Sequence, residues 1–264
     1  MSVTICNFSN VYGNQPYLEG LKLSGKATWI DLSDTSGTDC YCDDEAIAAI
    51  NGELNKAGVV DAQGIHFIDN GNYHYMSKLW TDKIAESFTL VVFDHHPDMQ
   101  EPRFGDILSC GGWVKKVLDE NKFIDNVVII GVADHLVKEI RSEIASHLTG
   151  ARNDNITFIC ESEIANHTFH IPHFTSPLPL YISIDKDALS TDYAATNWDQ
   201  GSLSLEHMKA IISAIAKDRK IIGVDICGER AQDFSGDEHH TVQEADTLND
   251  RTNQELVEFL EKFF

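Results

Sequence analysis

Four ionisable side chains crowd into five positions at Asp94-His95-His96-Pro97-Asp98, directly behind the apolar run TLVVF. In extended backbone alternate side chains share a side, so Asp94, His96 and Asp98 could converge at the carboxyl end of that strand. Open parallel sheets place their ligands at such ends. So dense a group behind a buried strand repels itself and is costly without a cation. Carboxylate oxygen with imidazole nitrogen suits Mn, Fe, Co, Ni or Zn better than Mg or Ca. The plain alternative is a polar loop that happens to be acidic.

A second acidic pair, Asp185 and Asp187, closes the run PLYISID. Alone it could be a helix cap or a loop. Beside the first segment it gains weight, because a two-ion site needs carboxylates from more than one strand and one carboxylate can serve both ions. A third segment, GNYHYMS, follows GIHFID and sets His74 near the first turn of a helix. A lone histidine is more often structural, but here it is the natural further nitrogen donor. In a fourth, Asp225-Ile226-Cys227-Gly228-Glu229-Arg230 after KIIGV, Glu229 could bind a cationic substrate group or orient water. Its ordinary reading is an ion pair with Arg230.

Short apolar, β-branched runs carry these groups. They lie at roughly 2–7, 28–32, 64–69, 89–94, 126–132, 156–160, 179–185 and 220–227. Several are continuously apolar, as in strands covered on both faces. Helical patterns fall between them at 43–57, 74–87, 111–121, 136–148, 204–218 and 253–263. The last opens with Thr252-Asn253-Gln254-Glu255, a capping-box pattern. The alternation predicts an α/β fold around a mostly parallel sheet, in one domain over 1–264. Long irregular stretches are expected at 161–178, 188–203 and 228–252; such loops tend to be functional.

The formal charge of −22 repels phosphate backbones and anionic lipid, so neither nucleic acid nor a membrane is an expected partner. It favours metal ions and a cationic substrate, or simply keeps the chain soluble. No run has the length of a membrane span, and the first residues lack a signal-peptide pattern. Six cysteines without a secretory signal read as reduced thiols, so a cytoplasmic location is expected.

In order along the chain, GNYHYMS, D-H-H-P-D and S-I-D-K-D-A-L-S resemble the signatures GGDHS, D-A-H-x-D and S-x-D-x-D-x-x-D-P of the arginase–agmatinase–formiminoglutamase family of ureohydrolases. The resemblance implies a three-layer α/β/α fold, a sheet of about eight strands, and two divalent ions, manganese by family habit. Position by position, His74, Asp94, Asp98 and Asp185 would hold one ion. Asp94, His96, Asp185 and Asp187 would hold the other, with Asp94 and Asp185 bridging. A hydroxide between the ions would attack a guanidinium or amidine-like carbon and release an amine. Relatives are often trimers or hexamers, so a homo-oligomer is implied as well.

The departures fall in the surroundings of that set. Asn72 and Tyr73 stand where Gly and Asp are usual. His95 replaces an alanine; it could serve as a further base or, as alternation favours, point away from the ligands into a hydrogen bond. Cys110 takes the place of the family's proton-shuttling histidine, or is a small packing residue. Leu189-Ser190 replaces the D-P ending. Glu229 matches the substrate-anchoring glutamate one residue late, and Asp134 matches a substrate-contacting loop. Two rivals stay open: a single-zinc, deacetylase-like amide hydrolase, and a metal-binding protein of this fold without turnover.

Overall fold

The computed structural model describes residues 2–102, 105–147, 155–166 and 177–264. The strands are β1 (Val3–Asn7), β2 (Ala27–Asp31), β3 (Tyr41–Cys42), β4 (Gly64–Phe67), β5 (Phe88–Phe93), β6 (Leu108–Ser109), β7 (Ile124–Val132), β8 (Ile156–Cys160), β9 (Leu180–Asp185) and β10 (Ile221–Cys227). The helices are α1 (Pro16–Leu23), α2 (Asp44–Lys56), α3 (Met76–Thr81), α4 (Trp113–Glu120), α5 (Asp134–His147), α6 (Glu161–Ala165), α7 (Leu205–Ile215) and α8 (Val242–Leu260).

Eight strands form one sheet in the order β2-β1-β4-β10-β9-β5-β7-β8. Every pairing in it is parallel. The two short strands β3 and β6 pair antiparallel beside it. The predicted α/β architecture with an eight-stranded parallel sheet is therefore the one observed.

Strand alternation divides the core into two layers. On β5, Leu90 and Val92 face one cluster with Ile50 and Leu54 of α2, Trp80 of α3, Val117 of α4 and Val137 of α5. Val91 and Phe93 face the other, with Leu18 of α1, Ile164 of α6, Met208 and Ile212 of α7, and Leu256 of α8. Each such side chain contributes roughly 1.5–3 kcal/mol by leaving water. A strand apolar on both sides can only sit between two helical layers, which is why the runs read as continuous rather than alternating.

Helix boundaries differ from the sequence expectation in places. α8 begins at Val242, where Thr241 and Glu244 form the capping box. Thr252 lies mid-helix, and its hydroxyl donates to the Tyr193 carbonyl at 2.5 Å. The stretch 228–252 is thus only half loop. α1 has no counterpart among the expected helices: it is short, carries Gly20, and opens on Pro16. The expected loop 161–178 begins as α6, and its part 167–176 lies outside the described residues, as does residue 148 of the expected helix 136–148.

The order of strands decides where the chemistry sits. β4 and β5 follow one another in the chain but lie two strands apart, with β10 and β9 between them. The four carboxyl ends of β4, β10, β9 and β5 therefore line up at the centre of the sheet.

Candidate metal centre

Asp94 leaves the end of β5 buried, at 1% exposure. Its Oδ2 lies 3.2 Å from His74 Nδ1. Its Oδ1 lies 3.5 Å from His96 Nδ1. One carboxylate thus faces two imidazoles on opposite sides. Oδ1 also accepts the His96 backbone N–H at 2.5 Å, whereas Oδ2 has no hydrogen-bond partner among the described residues. A buried carboxylate oxygen without a donor is costly unless something positive completes it.

Around His74 Nδ1 gather Asp98 Oδ2 at 3.0 Å and Asp185 Oδ2 at 3.5 Å. Around His96 Nδ1, Asp187 Oδ2 lies at 2.9 Å. Three groups of donor atoms each fall within 4.8 Å: His74, Asp94 and Asp98; Asp94, His96 and Asp187; and His74, Asp185 and Cys227. Oxygen and nitrogen donors so arranged fit divalent first-row ions.

Local structure fixes each donor. The Asn70 side chain accepts from Asn72 N–H at 3.0 Å and starts the short turn Gly71–Tyr73 that presents His74. His74 Nε2 meets Ser183 Oγ at 2.9 Å, and Ser183 donates to Asp225 Oδ1 at 2.6 Å. Ser77 donates to the same Asp225 oxygen at 3.0 Å. This chain leaves His74 Nδ1 facing the acids, as a partner behind a ligand histidine does. Asp98 adopts φ +49, a left-handed conformation that strains a side-chain-bearing residue. The indole N–H of Trp113 holds its Oδ2 at 2.7 Å. Asp185 Oδ1 accepts Asp187 N–H at 2.9 Å, and Asp187 Oδ1 accepts His95 N–H at 3.0 Å. The two acidic segments therefore lock each other.

The electrostatics agree with this crowding. Burial, with Asp187 nearby, raises Asp185 to about 7. Burial, with Asp94 nearby, raises Asp187 to about 6. Burial opposes charge on His96, yet Asp187 and Asp94 raise it to about 12. Burial likewise opposes charge on His74, and Cys227 and the acids more than offset it, carrying the imidazole well above its usual value. Concentrated negative potential of this kind attracts protons or cations alike.

The three residues expected to act on substrate are engaged elsewhere. Glu229 is buried at 1% exposure and forms an ion pair with Lys186, which is itself fully buried. Gln15 Nε2 donates to its other oxygen at 2.7 Å, and Asn253 Nδ2 donates to the paired oxygen at 2.8 Å. Gly228 adopts φ +86, and a Cβ there would lie 2.4 Å from Asp185 Oδ1. In this structure the Glu229 carboxylate, expected to anchor a substrate, is paired within the protein. Arg230 does not pair with it either, but grips Asp246 with Nε at 2.6 Å and Nη2 at 3.0 Å. Asp134 starts α5 and accepts Ser162 Oγ at 2.6 Å, which ties α5 to α6. The Cys110 thiol is raised by its hydrogen bond with Cys40 and by burial, which ill suits it to passing protons near neutrality.

His95 turns away from the acids, as alternation predicts. Its Nδ1 lies where a Cβ on Gly201 would come within 3.0 Å, and it has no hydrogen-bond partner among the described residues. Asn72 ties down the rim: its amide donates to Asp39 at 2.8 Å, while its oxygen accepts from Asn197 at 2.8 Å and from the Trp198 indole at 3.1 Å. The Trp198 ring stands edge-on to His96 at 5.9 Å. Lys186, Ser183, Trp113 and Cys227 escaped the sequence reading. Cys227 and Ser183 carried a usable signal, since alternation sets Cys227 on the same side of β10 as Asp225 and Ser183 on the same side of β9 as Asp185.

A parallel α/β/α sandwich thus carries, over its central strand ends, an acid–histidine cluster whose donors could hold metal ions. The Arginase family profile matches residues 64–232, and the chain belongs to that family. It is 32% identical over 166 residues to an uncharacterized protein of Thermotoga maritima, a match that covers 63% of this chain and 58% of that protein's length. Proclavaminate amidino hydrolase from Streptomyces clavuligerus shares the fold at a TM-score of 0.69 and 16% identity, over 100% of this chain and 92% of that one. Agmatine ureohydrolase of Thermoplasma volcanium does so at 0.64 and 14% identity, over 99% and 90%. Formimidoylglutamase from Bacillus subtilis follows at 0.60 and 14%, over 97% and 87%.

Proposed function

We propose that this chain, as one domain over its 264 residues, is a hydrolase of linear C–N bonds that depends on two divalent ions. The observation that carries this reading is Asp94, whose two oxygens face His74 and His96 separately at 3.2 and 3.5 Å. His74, Asp94, Asp98 and Asp185 would hold one ion. Asp94, His96, Asp185 and Asp187 would hold the other. Manganese is the first candidate, with Zn, Fe, Co or Ni competing for the same donors. Bound there, the ions would lower the pKa of water and polarise the carbon under attack.

The protein's own groups set the stage for that chemistry. Asp94 and Asp187 balance positive charge at the His96 side, and Asp98 and Asp185 balance it at the His74 side. Ser183 and Asp225 hold the His74 ring in place through Nε2. Trp198, 44% exposed, and Asn72 form a rim beside His96 on which a small substrate can lie. A guanidino or amidino compound is the substrate class we infer, in keeping with the amidino hydrolases that share the fold.

One observation favours a second reading. Glu229, the carboxylate best matched to a cationic anchor, is neutralised by Lys186. A neutral amide would not miss that anchor. The deciding experiment loads purified protein with Mn or Zn, counts bound ions, and assays a panel of guanidino, amidino and amide compounds for released urea, ammonia or amine. Turnover of guanidino or amidino compounds with two ions per chain supports the first reading. Turnover confined to amides with one tightly held zinc would replace it.

A further inference from the structure

The third donor group contains a sulfur that the ligand set above does not use. Cys227, 1% exposed, is the last residue of β10. Its thiol donates to Asp185 Oδ2 at 3.0 Å. That same oxygen lies 3.5 Å from His74 Nδ1. All three donor atoms sit within 4.8 Å of one another. An ion bound to a thiolate at about 2.3 Å and to nitrogen or oxygen at about 2.0 Å spaces tetrahedral donors about 3.5 Å apart. The thiol lies 3.0 Å from Asp185 Oδ2, which in turn lies 3.5 Å from His74 Nδ1, both short enough for donors that share one ion.

We propose that Cys227 supplies a thiolate ligand to the ion held by His74 and Asp185, making this half of the centre a mixed nitrogen–oxygen–sulfur site that prefers zinc or cobalt to manganese. The proposal rests on the reading of the acid cluster as a metal centre. A second observation points to the same place: the buried Asp94 Oδ2 lies 3.2 Å from His74 Nδ1 and has no hydrogen-bond partner among the described residues.

Chain geometry explains why the sulfur is there. Ile226 belongs to the core layer on one side of β10, so Cys227 faces the other. β10 ends at Cys227, and Gly228 then turns the chain with φ +86. Cys227 packs within one apolar layer of the core, yet its thiol hydrogen is directed at a carboxylate that is itself a candidate ligand. On binding, the S–H bond breaks, its electron pair passes to the cation, and the proton leaves to solvent. Soft sulfur shifts the preference of the site away from hard ions.

Cobalt(II) loading of the metal-free full chain tests this directly. The expected result is a near-ultraviolet thiolate-to-cobalt charge-transfer band that disappears in Cys227→Ser and persists in Cys110→Ser. In competition, Cys227→Ser should lose at least about tenfold in zinc affinity relative to manganese, the lower bound for losing even a supporting partner of a metal site. X-ray absorption on the zinc-loaded natural protein needs no variant and should show one sulfur at about 2.3 Å. Bound cobalt without the band, a band retained in Cys227→Ser, or a zinc shell of nitrogen and oxygen alone would overturn the proposal while leaving the metal centre standing. Failure of either metal to bind would overturn both.

Discussion

Lys186 and Glu229 meet as a fully buried ion pair between the candidate metal centre and α8. Asn253 completes it by donating to Glu229 at 2.8 Å and accepting from Lys186 at 3.1 Å. Lys186 sits between Asp185 and Asp187, yet points away from both of their faces. A buried pair is neutral in sum, but removing one partner strands a charge in low dielectric. Lys186→Met alone should cost about 3–5 kcal/mol, and Lys186→Met with Glu229→Leu should recover much of it. Urea unfolding of the metal-free proteins measures this. Additive losses would mean the two charges do not depend on each other.

Asp94→Asn should lose both ions together, since each oxygen of this carboxylate faces a different histidine. Asp187→Asn should weaken mainly the ion at His96, because its Oδ2 lies 2.9 Å from that ring. Metal counts on dialysed protein distinguish the two variants. Equal loss from both, or full retention in Asp94→Asn, would contradict the bridge.

Asp225 touches no ion in this arrangement, yet it anchors the ring of His74 through Ser183. Ser183→Ala or Asp225→Asn should therefore lower metal affinity by about 10- to 100-fold while leaving the donors themselves intact. Isothermal titration reads the affinity. An unchanged dissociation constant would show that the ring needs no such support.

His66 gives a pH signature of its own. Its ring is stacked on Trp80 at 3.8 Å, and Nε2 faces the Ala62 carbonyl at 3.2 Å. Burial lowers it to about 4, against about 6.5 in an unfolded chain. Between those values the unfolded state binds the proton that the native state refuses, so stability falls as pH drops through that window. The contribution is roughly 3 kcal/mol at most. In His66→Gln, which keeps a donor for Ala62 but does not titrate, this loss should vanish. Parallel pH dependence of unfolding in both proteins would contradict it.

The strands were legible because each is an apolar run that must be covered on both faces. Asp94, His96, Asp98, Asp185 and Asp187 were legible because acids at strand ends are rare without purpose. The start of α8 was not, since Thr252 imitates a cap and the polar turn around Asp246 and Asn249 hides a buried helix face. The surroundings of Glu229 were not legible, because nothing local to it reveals Lys186, Gln15 and Asn253, which arrive from three distant segments. Alternation gave the direction of His95 but not the orphaned state of its Nδ1.

The placing of β9 and β10 between β4 and β5 bears on how the molecule comes into being. During synthesis β4 and β5 emerge early, each with an open edge that only the last strands can fill. Parallel pairing over so long a loop is slow, because chain entropy is lost before contacts reward it. The middle of the sheet thus closes late, and the ligands on β5 meet those on β9 only then. A nascent chain stalled before Leu180 would carry two sticky edges and half a cation site, a natural client for chaperones.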